Sequence, residues 1–447
     1  MRRIAALVVA IVWAVPLAAQ GGGSCRFHLD RVGGLGQQVI VGGDTNYYAG
    51  GGVKITCQGT SISMESDSAA FYGRRSGTIV EFIGRVKYRD SLVTMDANRG
   101  TYYRSGERWE ARGNVVTENL QNGSKMVGPS LDYYRAMKGT RDTVEMFSVG
   151  RPTITYQTLD STGSKSEPYV IVADRVRMKG NDRIWGGGQV TIDRSDFKAR
   201  GDSLRLDTGA GSDGALLGKP SVEGTGKDAF TLTGTRIDLK LDHQELSYVT
   251  AVDSGHAVTK DMDLTADTIG LGISARQLVQ TVAWGDSIRP LAVATDYEIR
   301  ADSLAIDTPG QRLKETRSFG TAWVGGKIDV ETNERDWMSG DTVTARFAQY
   351  DSAGTTKTAL ASIEASGTAK SYYRIASTKR GETRPSINYS RGDRIAVQMK
   401  STGNRGVERV DIRGNVDGIQ LEPAAIKADT TNADTTKADS SKAGTPT

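Results

Sequence analysis

The feature that most restricts how this chain can fold is one theme repeated from Asp67 to about Asp417. A small residue and an Asp open each unit, a short alternating strand and a polar turn follow, and a strand holding Gly-x-Val or Gly-x-Ala closes it. Openings stand at Met95-Asp96-Ala97, Ala173-Asp174, Gly201-Asp202, Ala266-Asp267, Ala301-Asp302, Gly340-Asp341 and Gly392-Asp393. Closings stand at Gly84-Arg85-Val86, Gly113-Asn114-Val115, Gly188-Gln189-Val190, Gly255-His256-Ala257, Gly320-Thr321-Ala322, Gly367-Thr368-Ala369 and Gly414-Asn415-Val416. The spacing between units varies, so the turns are degenerate while the strands keep the pattern.

Within those strands the side chains alternate with the period of two that separates the faces of a sheet. Val80, Phe82, Gly84, Val86 and Tyr88 share one face, opposite Glu81, Arg85 and Lys87. Trp109, Ala111, Gly113 and Val115 form the apolar set of a second strand, and Val410, Ile412, Gly414 and Val416 that of another. On this reading the closing glycine falls on the apolar face, where it marks a bend or a close approach. Helical periodicity is broken throughout by Gly, Thr, Ser and Asp, and 53 glycines against 10 prolines suit a chain of many turns. The expected class is all-β.

Met1-Arg2-Arg3, the apolar run Ile4 to Leu17 and Ala18-Ala19-Gln20 have the order of a secretory signal peptide over 1–19. The run is shorter than the ~20 residues a spanning helix needs. Losing Arg2 and Arg3 from 57 basic residues leaves 55 against 53 acidic ones, which is no nucleic-acid-binding balance. Cys25 and Cys57 are the only cysteines, and an exported compartment favours one disulfide between them, two free thiols being the other reading. Cys25 lacks the Leu-small-small triplet of a lipidation signal. A Gly-rich segment, 20–63, holds an expected strand at Gln38-Val39-Ile40-Val41, and Gly33-Gly34-Leu35-Gly36 reads as a flexible loop. The tail, 422–447, is rich in Ala, Asp, Thr, Lys and Ser and is expected to be disordered.

The order Met95-Asp96-Ala97, Gly100-Thr101-Tyr102-Tyr103, Glu110-Ala111-Arg112-Gly113-Asn114-Val115 and Gly128-Pro129-Ser130-Leu131-Asp132-Tyr133-Tyr134 resembles the OstA/LptA-like family of periplasmic lipopolysaccharide-transport proteins and the related N-terminal domain of LptD. The likeness is best over 64–150 and looser over 170–417. It implies an extended, twisted, V-shaped β-jellyroll, an open-ended folded sheet built as one unit or two consecutive ones, over 64–165 and further repeats over 166–421. It also implies an apolar interior that holds acyl chains. The interior residues would be Val80, Phe82, Val86, Trp109, Ala111, Val115, Ile184, Val190, Ile192, Ala322, Val324, Ile412 and Val416, with small residues such as Ala111, Gly113 and Gly188 leaving room between bulky ones. The implied partners are lipopolysaccharide through its lipid A portion and homologous components of the outer-membrane assembly machinery, met by edge-strand pairing, with head-to-tail self-association as a further expectation. This chain is longer than typical members and lacks a following barrel of membrane strands, so an extended bridge is expected.

No nucleophile, acid–base pair or cofactor motif stands out, and no cofactor or enzymatic activity is expected. His28, His243 and His256 lack zinc spacing. The repeated aspartates fit strand-end hydrogen bonding better than paired glycosidase acids, and an enzyme such as a polysaccharide lyase would need acids and bases in one cleft. The competing expectation is a structural or adhesive β-solenoid at the cell surface, binding polysaccharide or protein, with a solid interior.

Overall fold

A computed structural model describes residues 25–423, apart from 75–76, 158–161, 166, 210–211, 226–228, 244, 261, 295–296, 330–332, 353–354, 376–383 and 401–406. The segment 1–19 expected to be a signal peptide, and all but the first two residues of the tail expected to be disordered, lie outside the described residues. Thirty strands form one sheet, all paired antiparallel to their chain neighbours or near-neighbours, and the helical content among the described residues is two 3-10 turns, Arg104–Gly106 and Pro309–Gln311. The chain is all-β, as its alternation predicts. Pairing runs on through position 165, where Thr153–Tyr156 meets Tyr169–Val172.

The sheet is folded along its length, and each rung crosses the fold. In Gly77–Arg89, residues 77–83 lie in one leaf, which we call leaf two, and 86–89 lie in leaf one. Between them Gly84 and Arg85 both take left-handed φ (78° and 44°), and a one-residue register shift accommodates them. The same pair of left-handed residues recurs at Gly51-Gly52, Gly113-Asn114, Gly150-Arg151, Gly188-Gln189, Gly218-Lys219, Asp253-Ser254, Gly320-Thr321, Gly367-Thr368 and Gly414-Asn415. The closing glycines are therefore corner residues.

Their placement corrects the reading that put them on the apolar face. A Cβ on Gly84 would collide with the carboxylate of Asp67, and the same holds for Gly188 with Asp174, Gly218 with Asp202, Gly320 with Asp302, Gly367 with Asp341 and Gly414 with Asp393. The opening aspartate of one strand thus sits against the closing glycine of the next. Backbone amides of Asp174, Asp302 and Asp393 donate to the carbonyls of Gly188 (2.9 Å), Gly320 (3.0 Å) and Gly414 (2.8 Å). The repeat is the chemical signature of the fold line: a residue without a Cβ, in a conformation that disfavours one, beside a short side chain that accepts hydrogen bonds.

Three repeat elements depart from the expected register. Gly113 faces Asn98, so Asp96 is no corner residue. At Gly255-His256-Ala257 the left-handed pair is Asp253-Ser254, and Gly255 packs against Ile269. Gly33 and Gly34 are no flexible loop, since their amides donate to Gly52 and Gly50 carbonyls (3.0 and 2.9 Å) and a Cβ on Gly33 would strike the Gly51 carbonyl. They make the corner of the first rung, whose two halves, Phe27–Val32 and Gly36–Val41, both pair with Asp44–Cys57.

The inner faces of the leaves carry rows of directly opposed residues. On leaf two the row begins Val80, Tyr102, Trp109, Tyr133 and ends Thr316, Ala345, Ile363, Val397, Val410. On leaf one it includes Met64, Tyr88, Met95 near the start and ends Val324, Met338, Ser371, Ser390, Gly418. Aromatics thus stand near the start of the rows, and aliphatic, small and hydroxylated residues close them. One core cluster spans Cys25 to Ile306, and a smaller one, around Ala322, Val343, Ala365 and Ile395, continues it.

Candidate functional site: the space between the leaves

Twelve of the thirteen residues expected inside do face inward. Val80, Phe82, Val86, Trp109, Ala111, Val115, Ile184, Val190, Ile192 and Ala322 are buried, and Val324 and Ile412 are half-buried. Val416 is not inside: it is 57% exposed, because it follows the corner of the last described rung and no strand among the described residues covers it. Cys25 and Cys57 form a disulfide, Cα atoms 5.0 Å apart, buried at the first end of the core.

Around Trp109 the expected room between bulky residues is filled, and a small opening between the leaves is lined by Met126, Met146, Ile154, Tyr156 and Met178. Trp109 of leaf two meets Tyr88 of leaf one at 4.8 Å between ring centroids and Phe82 at 5.3 Å. Gly100 is flat beneath the Trp109 indole, where a Cβ would overlap the ring. Such interdigitation is the close packing of a protein interior.

The mouth opposite the fold line is closed there as well. Asp90 sits in a turn of leaf one, Glu107 in a turn of leaf two, and both are almost fully buried. Arg135 reaches both, with Nη1 donating to Glu107 Oε2 (2.7 Å) and Nε 3.6 Å from Asp90 Oδ2. The hydroxyls of Tyr88 and Tyr133 donate to Asp90 Oδ2 (3.0 and 2.8 Å), and that of Tyr102 to Glu107 Oε2 (2.8 Å). The Cys25 amide donates to Glu107 Oε1 (3.1 Å). Burial and the neighbouring Asp90 charge push the Tyr88 and Tyr133 phenols well above their ordinary pKa, and burial with Glu107 does the same to Tyr102. Farther along, Asn119 donates to Asn181 (2.8 Å), Tyr156 meets Thr208 (2.6 Å), and Arg276 bridges Glu167 (3.5 Å) and Glu245 (3.2 Å). These contacts sew leaf to leaf.

None of these three turn residues was singled out from sequence. Asp90, Glu107 and Arg135 lie in separate turns, and the only local signal is an ionisable residue beside a run of aromatics.

Among the described residues beyond Tyr297–Arg300, Arg335 pairs with Glu298 (2.7 Å), Arg374 with Asp336 (2.9 Å) and Arg394 with Glu364 (2.6 and 2.8 Å), each within one leaf. Ala322, Val343, Ala365, Ala369 and Ile395 are buried there, while Ile363, Tyr373, Met399, Val410 and Ile412 are half-buried. Thr316, Ser318 and Ser371 are deeply buried, and the Ser318 and Ser371 Oγ atoms have no hydrogen-bond partner. On the outer face of leaf two a concavity of about 280 Å³ is lined by Arg346, Glu364, Arg394, Asp411 and Arg413. Of the outward residues named from sequence, Arg85 pairs with Asp67 (2.6 Å) and Arg112 with Asp132 (2.6 Å).

Both ends of the sheet expose apolar strand. Leu35, Ile40 (69% exposed) and Val41 mark the first, and Val416, Ile419 (62%) and Leu421 the last. Among the described residues no group of three or more His, Cys, Asp or Glu could hold a metal ion. No family model matches this chain, and no curated protein matches it either.

Proposed function

We propose that the protein is a periplasmic bridge for lipopolysaccharide, carrying it toward the outer membrane with its acyl chains against the inner face of the folded sheet. The observation that carries this reading is the single inward face, continuous over the whole thirty-strand sheet, with an exposed apolar strand at each end among the described residues. Exposing the acyl chains of a lipid to water costs about 25 cal/mol per Å² of apolar surface, and a folded sheet shields such surface along a line. These end strands offer unpaired backbone groups for strand addition, which suits docking to homologous components of the outer-membrane assembly machinery and head-to-tail self-association. The resemblance to the OstA/LptA-like family supports the same reading, and no catalytic role is part of it.

Purified protein lacking residues 1–19 and mixed with lipopolysaccharide or lipid A is expected to co-elute with it in size-exclusion chromatography. Binding to neither sinks the proposal.

A specific observation favours a second reading. The packed, sewn interior from Val53 to about Ile306 suits a structural or adhesive scaffold at the cell surface, and such a scaffold binds polysaccharide or protein through its outer faces. The two readings part on whether any inward residue touches lipid.

A further inference from the structure

We infer that the outer face of leaf one, over its last strands, binds an acidic polysaccharide: Trp337, Tyr372 and Tyr389 stack on its sugar rings, and Lys370 and Arg391 take its carboxylate or phosphate groups. The surface lies on the opposite side of the leaf from the proposed lipid face, so the inference stands apart from the lipid-carrying reading.

The first observation is a change along one row. Directly opposed residues form a single outward file across the whole of leaf one, from His28 through Lys125, Lys198 and Glu298 to Ile419. From His28 to Gly325 the file holds no Phe, Tyr or Trp; Trp337, Tyr372 and Tyr389 then follow on adjacent strands, and Ile419 ends it. Every residue of the file is among the described residues. Aromatic pairs stabilise a sheet at any position, so stability alone does not gather three of them at one end of a file that is otherwise polar or aliphatic.

The second observation is the posture of the rings. Trp337 and Tyr372 are parallel within 11°, and Trp337 lies 6.3 Å from both Tyr372 and Tyr389 between centroids. The Tyr372 hydroxyl donates to Glu334 (2.6 Å). All three rings are half-buried, each covered in part by its neighbours and open in part to solvent. Adjacent strands stand about 4.8 Å apart, close to the length of one sugar in an extended glycan, so rings on successive strands can meet successive sugars through their C–H faces. Beside them the Trp323 indole lies across its own strand, where a Cβ on Gly325 would strike it, under the guanidinium groups of Arg300 and Arg335 (5.4 and 5.0 Å).

The third observation is charge. The neighbouring outward file runs Trp323, Ser339, Lys370, Arg391, Asp417. Lys370 and Arg391 are directly opposed, an unfavourable placement for like charges. Arg391 pairs with Asp417 (2.7 Å), whereas Lys370 is exposed and has no ion pair among the described residues. An anionic substituent on a sugar stacked over the rings would sit between the two cations and relieve their repulsion. A bilayer surface suits the face less well, since it calls for apolar side chains that project, and these rings are held down by one another and by Glu334.

The test is native electrophoresis of purified protein lacking residues 1–19, in gels cast with alginate or polygalacturonate, two linear polyuronates. Retardation by at least one of them is expected, with none by dextran, a neutral polysaccharide. No retardation by either polyuronate overturns the proposal, and equal retardation by dextran overturns its charged half. Sedimentation with phosphatidylglycerol vesicles without polyuronate binding would assign the face to a membrane and overturns it too. Lys370→Gln, at an exposed and unpaired position, should leave the melting temperature unchanged and weaken polyuronate binding about threefold. Tyr372→Ala should weaken it about tenfold, and Trp284→Ala, at a 42% exposed position on the outer face of leaf two, should leave it unchanged. Wild-type binding in both Lys370→Gln and Tyr372→Ala, or an equal loss in Trp284→Ala, overturns the placement. Lipid A carries no polysaccharide and should not displace alginate; displacement would put both ligands on one surface and overturn the inference, while co-elution with lipid A tests the lipid-carrying reading by itself.

Discussion

The stretch around Trp109 and the stretch around Ala365 are built on the same rung plan, with the same corner and the same pairing, yet they solve the interior differently. Near Trp109 the inward rows are aromatic and the mouth is held by a buried arginine between two buried carboxylates. Near Ala365 the rows are alanine, serine and valine, and charged residues pair within a leaf on its outer side. The same backbone plan therefore leaves the interior open to choice: the corner sets the fold, and the inward side chains decide how the space between the leaves is filled.

The sharpest way to break this contrast is Arg135→Ala. Asp90 and Glu107 would be left buried without their cation, and unfolding by denaturant should show a loss of about 3–5 kcal/mol. A loss under ~1 kcal/mol would mean that the mouth is not held there. High pH probes the same region. Tyr88, Tyr102 and Tyr133 have folded pKa values raised above the unfolded one, so the stability they contribute is full below the ordinary tyrosine value of about 10 and falls as pH rises past it. Each resisting phenol costs up to about 1.4 kcal/mol per pH unit there. Tyrosinate absorbance from the three should appear only with unfolding, and smooth titration of all tyrosines near pH 10 would contradict their burial.

Gly188→Ala tests what the two regions share. It puts a Cβ at φ 79° against Asp174 and should cost about 1–3 kcal/mol in thermal or denaturant unfolding, whereas Gly50→Ala, in open space, should cost little. Equal effects would remove the corner's special status. The smallest effect belongs to the last third. Arg394 holds the Glu364 carboxyl below its ordinary range, so the pair contributes above that range and is lost as pH falls through the lowered value. Both groups are partly exposed, and Glu364→Gln should cost less than about 1 kcal/mol at neutral pH.

Alternation made the class and most of the inward residues legible, because a period of two is local: Phe82, Trp109 and Ile192 can be placed from their immediate neighbours. The pairing of Asp67 with Gly84, or Asp302 with Gly320, was visible as two recurring marks but not as one contact, since its partners lie on different strands. Asp253-Ser254 carried no glycine to betray a corner. Val416 was misplaced because alternation assigns a face and says nothing of whether a further strand covers it. The Asp90, Arg135 and Glu107 cluster depends on three turns meeting across a fold, which no local pattern records.

The corner repeated on every other strand has a consequence for how such a molecule changes in length. Each rung touches only its neighbours, and the segment from one corner to the next, for example from Gly188 to Gly218, begins and ends in the same conformation with the same partner chemistry. Removing or duplicating one such segment joins like to like, leaving the register of the remainder untouched. The protein is in this sense a ruler graduated in strand pairs, and its reach can be reset without redesigning either end.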